Sequence, residues 1–219
     1  VTGNNPKVHA FQRRARDAVC DFRIAIKRLS GDATYEELRT HWSLALSEFR
    51  KFLKFAETAA RERERNGWAD NLIKERKDNP ILNYAFHARN AEEHGHASSA
   101  KPEPAALRIG GMFSFAGNVS NVTISNCREI TTLQDGRTIE RRVDGQFSTT
   151  DGKISSGWLN SQVPVNSQTP YIQLLPAMDR GQSYQPPMLK DVRREDLADV
   201  FAQKICHWME KKLKELEGF

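Results

Sequence analysis

The stretch Pro80-Ile81-Leu82-Asn83-Tyr84-Ala85-Phe86-His87-Ala88-Arg89-Asn90-Ala91-Glu92-Glu93-His94-Gly95 reads as an apolar helix with a polar end. Asn79 in front of it offers a side-chain oxygen to cap the first turn, and Pro80 suits a first helical position, where no backbone N–H is needed. Gly95 suits the stop. Arg89, Asn90 and His94 collect at the far end of this otherwise apolar segment, which is where chemistry is expected. Residues four apart on a helix share a face, whereas residues five apart are about 140° out of register. Asn90 and His94 are therefore expected to be neighbours and Arg89 to lie above Glu93. An Arg89–His94 pair needs a distorted helix end or a second copy of the chain.

The segments upstream carry the same period. Val8, Ala15, Val19, Phe22, Ile26 and Leu29 recur every three or four residues and define a first helix. Ser30-Gly31-Asp32 ends it, and Thr34 with Glu37 forms a capping box for the next. Tyr35, Leu38, Trp42, Phe49, Phe52 and Ala56 continue the stripe over a long second helix that is expected to stop near Asn66-Gly67. A short helix from Trp68 to Arg76 then precedes the Asn79-Pro80 start signal.

Past Lys101-Pro102-Glu103-Pro104 the period changes from helical to strand-like, with Val122 and Ile124 alternating with polar residues. Asp135-Gly136 separates two β-prone stretches as a two-residue hairpin turn would, and Asp144-Gly145 and Asp151-Gly152 predict further turns. Leu197, Val200, Phe201, Ile205, Trp208 and Leu213 then predict a final amphipathic helix. The fold class is α+β: an antiparallel helical bundle with a small antiparallel β unit inserted before the last helix. The expected division is a helical domain over 1–100, a β unit over 106–190, and a C-terminal helix over 191–219 that returns to the bundle. A separate β domain with its own covering helix is the alternative; the width of the terminal apolar stripe favours the insert.

Composition narrows the function classes. Three cysteines, Cys20, Cys127 and Cys206, are scattered without any Cys-x-x-Cys spacing, which speaks against a disulfide framework and against a zinc site and points to a reducing cytoplasmic setting. No apolar run approaches the roughly 18 residues of a membrane span, so no membrane association is expected. The net charge of +5 permits a nucleic-acid partner without requiring one. Residues 1–100 hold 18 basic against 14 acidic side chains, so most of the excess lies on the segment with the Arg-Asn-His end. Much of that charge alternates, as in Arg61-Glu62-Arg63-Glu64-Arg65, which reads as a solvated helix face.

Arg89-Asn90, three residues, then His94 resembles the signature of the HEPN superfamily (higher eukaryotes and prokaryotes nucleotide-binding). In that superfamily an Arg with a polar follower and a nearby His form a metal-independent ribonuclease site. The resemblance covers roughly the first hundred residues and the terminal helix, and leaves the β-rich region unmatched. It implies a HEPN-like bundle, an RNA substrate, a homodimer whose two Arg and His sets line one cleft, and a role in stress response or phage defence. It implies catalytic roles for Arg89, Asn90 and His94, no cofactor, and no metal. His94 supplies a group for proton transfer, Arg89 a planar fork for phosphate oxygens, and Asn90 a means of orienting either. His96 stands where toxin members paired with a nucleotidyltransferase often carry Tyr. It is assigned to nucleic-acid binding, and no nucleotidyltransferase antitoxin is expected.

Two other readings of the same residues stand beside this one, and one residue outside them has two readings of its own. Arg89 could pair with Glu93 while Asn90 and His94 cap carbonyls at a helix end, leaving a non-catalytic module that dimerises or binds a nucleotide or nucleic acid. His87, Glu92, Glu93, His94 and His96 include usable metal ligands, but no fourth ligand is identifiable. Trp158 in the β region reads either as a core plug or as a base-stacking surface.

Overall fold

In the computed structural model the described residues are 6–29, 35–94, 98–103, 106–109, 113–116, 121–132, 137–150, 153–159, 165–168 and 170–218. Helices α1 (Pro6–Lys27), α2 (Tyr35–Glu62), α3 (Asn66–Asp78) and α4 (Pro80–Glu93) come first. Strands β1 (Ala100–Glu103), β2 (Ala106–Ile109), β3 (Phe113–Ala116), β4 (Asn121–Thr132), β5 (Thr138–Thr150), β6 (Lys153–Leu159) and β7 (Val165–Gln168) follow. The chain ends with β8 (Tyr171–Leu174), β9 (Ala177–Asp179), β10 (Gln182–Tyr184) and helix α5 (Leu197–Glu217). The class is α+β, with antiparallel pairing within the sheets β3-β2-β7 and β4-β5-β6 and in the β9–β10 ribbon. No helix among the described residues is long and apolar enough to cross a membrane.

Two compact units result: residues 1–102 with 172–219, and residues 103–171. In the first, the apolar stripes of the helices face one another around Phe22, Trp42, Phe49, Phe52, Phe201 and Met209, all nearly inaccessible. Burial of side chains this size is the main stabilising term, about 1.5–3 kcal/mol each before entropy is counted. α5 is tied to α1 and α3 by three side-chain links: Gln12 Nε2 donates to the Leu216 carbonyl (2.9 Å), Arg23 pairs with Glu210, and Trp208 Nε1 donates to Glu75 (3.0 Å). Trp208 also meets Phe49 and Phe52 edge-on. Lys212, buried on α5, is neutralised by Glu75 at 2.7 Å and Glu215 at 2.9 Å. Strand β1 pairs with β8, and β9 with β10. These last strands belong with the helices, although the sequence division expected them within a β unit reaching 190. Tyr84 explains part of this: its hydroxyl shares its single proton between the carbonyls of Ser99 (3.0 Å) and Leu175 (2.8 Å), fastening α4 to the segments around β1 and β8.

In the second unit, β4, β5 and β6 form a meander with Val122, Ile124, Val143 and Phe147 buried. The register of β5 on β6 pairs Thr150 with Lys153. Asp144-Gly145, expected as a turn, instead lies inside β5. The glycine is there for a neighbour: a Cβ on Gly145 would stand 2.7 Å from Leu159 Cδ1 and 2.8 Å from the Trp158 carbonyl, so only hydrogen fits beneath that part of β6. Trp158 is 56% exposed, which removes the core-plug reading.

The expected stop at Asn66-Gly67 also differs. α2 ends at Glu62, and the chain turns through Arg63–Arg65 with Glu64 at φ 60°. Backbone bonds from Arg63 and Arg65 to the Ala60 carbonyl (3.1 and 2.9 Å) close the helix end, so no glycine is needed there and Gly67 falls in the first turn of α3. Ser30-Gly31-Asp32, Thr34, Gly95, His96, Asp135-Gly136 and Asp151-Gly152 lie outside the described residues.

Candidate functional site

Helix α4 starts at the Asn79-Pro80 signal. Asn79 Oδ1 accepts the backbone N–H groups of Ile81 (3.0 Å) and Leu82 (3.3 Å), and Pro80 occupies the first turn. Ala85, Ala88 and Ala91 are fully buried on its inner face. The polar residues Asn83, His87 and Asn90, with Phe86, recur at helical spacing beside that face and make the contacts that define the site.

Opposite them stands the β9–β10 hairpin. Gln182 pairs with Asp179, leaving Arg180-Gly181 as a two-residue loop with φ of 50° and 77°. Two consecutive positive φ values give the tight turn whose twist matches the flanking strands. The hairpin brings Asp179 and Tyr184 to α4. Asp179, 3% exposed, takes His87 Nδ1 at 2.7 Å and Asn90 Nδ2 at 2.9 Å on the same Oδ2 oxygen. Its Oδ1 is buried with no hydrogen-bond partner in the structure. Burial works to raise the pKa of this carboxyl, but the hydrogen bonds from Asn90 and His87 outweigh it and hold it below the usual carboxylate range. An ionised carboxylate only accepts, so Nδ1 of His87 carries hydrogen and Nε2 is the atom left for exchange with a ligand. Tyr184 stacks on the His87 ring at 3.5 Å between centroids and 7° between planes, fixing its orientation further.

The residues singled out in the sequence divide between two partners. Arg89 Nη2 pairs with Glu93, one turn on, while its buried Nε has no hydrogen-bond partner. Burial lowers the Arg89 pKa; Glu92 counteracts this and the charge of Arg50 adds to it. Asn90 is bound to Asp179, so its side chain is not directed to His94. His94 is exposed and terminates α4, its backbone N–H bonded to the Asn90 carbonyl at 3.1 Å. The metal-ligand set is dispersed: His87 is on Asp179, Glu92 accepts from Ser99 Oγ (2.7 Å), and Glu93 is on Arg89. No group of three metal-ligating side chains gathers among the described residues.

Behind His87, the Phe86 ring carries two guanidinium groups, Arg50 Cζ at 4.3 Å and Arg76 Cζ at 4.0 Å from its centroid. Neither arginine, nor Asp179 or Tyr184, stood out in the sequence. Arg180-Gly181 carries a usable turn signal for the hairpin; nothing local marks Asp179 as the residue it would deliver. Comparisons with protein-family models, curated proteins and solved structures find no match for this chain.

Proposed function

We propose that this protein is a HEPN-type, metal-independent endoribonuclease that works at the C-terminal end of α4. The observation that carries the reading is the placement of an exposed His94 one residue beyond Arg89's helical neighbour Glu93, with the Arg89 Nε buried and unpartnered. In the reaction, His94 takes the proton of a ribose 2′-OH as its oxygen attacks the adjacent phosphorus. The bond to the 5′-oxygen breaks, that oxygen takes up a proton from the His94 imidazolium, and a 2′,3′-cyclic phosphate and a 5′-hydroxyl remain. Arg89 neutralises the charge on the phosphorane oxygens, after exchanging Glu93 for the phosphate. Asn90 acts at one remove, by fixing the end of α4 to Asp179. A two-fold pairing of helical units gathers both Arg89 and His94 sets in one cleft.

The existing Arg89–Glu93 and Asn90–Asp179 bonds favour a second reading, a non-cleaving module of the same architecture that dimerises and binds nucleotide or nucleic acid. Cleavage of a defined RNA in EDTA, with the product ends analysed, separates the two. The nuclease reading expects cyclic-phosphate ends, no loss of rate with chelator, and loss of cleavage in His94→Ala with the melting temperature nearly unchanged. Arg89→Lys is expected to be poor as well, because a point charge does not reproduce a planar fork. Full activity in both variants would sink the site assignment; rescue of a chelated enzyme by zinc or manganese would replace it with a metal mechanism.

A further inference from the structure

Arg76 is the one buried arginine among the described residues, 8% exposed. Its guanidinium makes a single hydrogen bond there, Nη1 to Oδ1 of the neutral Asn83 at 3.1 Å, and no ion pair. The buried Lys212 is treated differently, with two carboxylates placed on it. Glu75, adjacent to Arg76 in the chain, is one of those two and is directed away to α5. Arg50, from α2, lies over the same Phe86 ring and makes no ion pair among the described residues; the charge of Glu57 acts on it, but that carboxylate is bonded to Arg61. Two like charges are thus held together by a ring face, which attracts each cation but cancels neither. Burial and the mutual repulsion of the pair depress the Arg76 pKa, with Tyr184 acting in the opposite sense. Arg50 also acts on Arg89. The missing element is an anion.

We propose that Arg50 and Arg76, seated on Phe86, form a subsite that binds a phosphate group. A carboxylate is satisfied by one planar fork, whereas the several oxygens of a phosphate can accept from two. Three rigid helices supply the pieces: Arg50 from α2, Arg76 from α3, and Phe86 with Asn83 from α4. The stacked His87–Tyr184 pair borders the subsite, since Tyr184 is near enough to Arg76 to affect its charge. If α4 cleaves RNA, the phosphate is one belonging to the strand, upstream or downstream of the scissile bond. The subsite in that role rests on the nuclease reading, while phosphate binding itself does not.

The test is binding without cleavage, by fluorescence competition on the full chain. The probes are inorganic phosphate, a nucleoside 5′-monophosphate, and 2′-O-methylated RNA oligonucleotides with and without a 5′-phosphate, which have no 2′-OH to attack. Arg76→Met and Arg50→Met should each weaken the phosphate probe that binds by about tenfold or more, the worth of a charge-assisted hydrogen bond or two. Arg50 is exposed, so its variant serves where Arg76→Met fails to fold. Arg23→Met, with the same charge change on the exposed Arg23 that pairs with Glu210 on α5, should bind as the parent does. Which probe responds identifies the source: the internal diester if both oligonucleotides bind alike, a terminal phosphate if the 5′-phosphate or the monophosphate is needed. Failure of every probe to bind, or equal weakening by Arg23→Met and Arg50→Met, would overturn the subsite. Because no probe can be cleaved, an inactive nuclease does not produce either result.

Discussion

Asp179 holds a charge at a position 3% exposed, and two donors from α4 stabilise it there. Replacing it with Asn keeps the shape but weakens both bonds, and is expected to cost about 1.5–3 kcal/mol, the range for hydrogen bonds to a charged group. The pH dependence follows from the sign of the shift. The folded-state pKa lies below the unfolded one, so the contribution is fully present above the unfolded value of about 3.9 and is lost as pH falls through the folded value. Melting temperatures measured from pH 7 down to pH 3 should therefore show an acid-side loss in the parent that is smaller in Asp179→Asn. An equal loss in both would mean that the Asp179 bonds contribute nothing to stability. At this scale the sequence was half legible. The spacing of Arg89 and Glu93 announced their pairing, because i and i+4 on one helix is a local relation. Asn90 was matched to the wrong partner, because Asp179 reaches it only through a hairpin 89 residues away.

The elements were read best where a local signal and a periodic one agreed. Asn79-Pro80 ahead of an apolar stripe placed α4, and the capping bonds to Ile81 and Leu82 give that signal an energy. Asn79→Ala should cost about 1 kcal/mol, measurable by denaturant unfolding, and a variant as stable as the parent would mean that water caps the helix as well. Glycines were read less well, because a sequence does not distinguish a glycine that bends the chain from one that makes room. Gly145 makes room for Leu159 and the backbone at Trp158. Gly145→Ala should consequently destabilise the β4–β5–β6 meander, seen as faster hydrogen exchange in those strands with α1 and α2 unchanged. Unchanged exchange in those strands would mean that Leu159 and the backbone give way to the added methyl. The short strands β8, β9 and β10 gave no period long enough to separate them from the β unit; packing of β9 and β10 on α4, and of Ile172 and Leu174 of β8 in the helical core, assigns them to the helices.

For the proposed nuclease, the decisive question at the scale of the whole molecule is how many chains make one working site. Within one chain, Arg89 is engaged by Glu93 and His94 begins the next stretch of backbone, so helix geometry alone does not bring the two groups onto one phosphate. A two-fold axis near the end of α4 would add a second Arg89 and His94 to the same cleft. Light scattering across micromolar concentrations is then expected to give twice the mass of one chain. The sharper measurement is complementation: Arg89→Ala and His94→Ala proteins, each inactive alone, are mixed, dissociated and reassembled. A composite cleft in the mixed dimer still holds one Arg89 and one His94, so cleavage returns. If each chain carries its own site, no protomer in the mixture has both groups and none returns. A dimer without complementation would thus retain the fold's pairing while moving the chemistry into a single chain, where Glu93 would have to release Arg89 and the last turn of α4 would have to unwind toward His94.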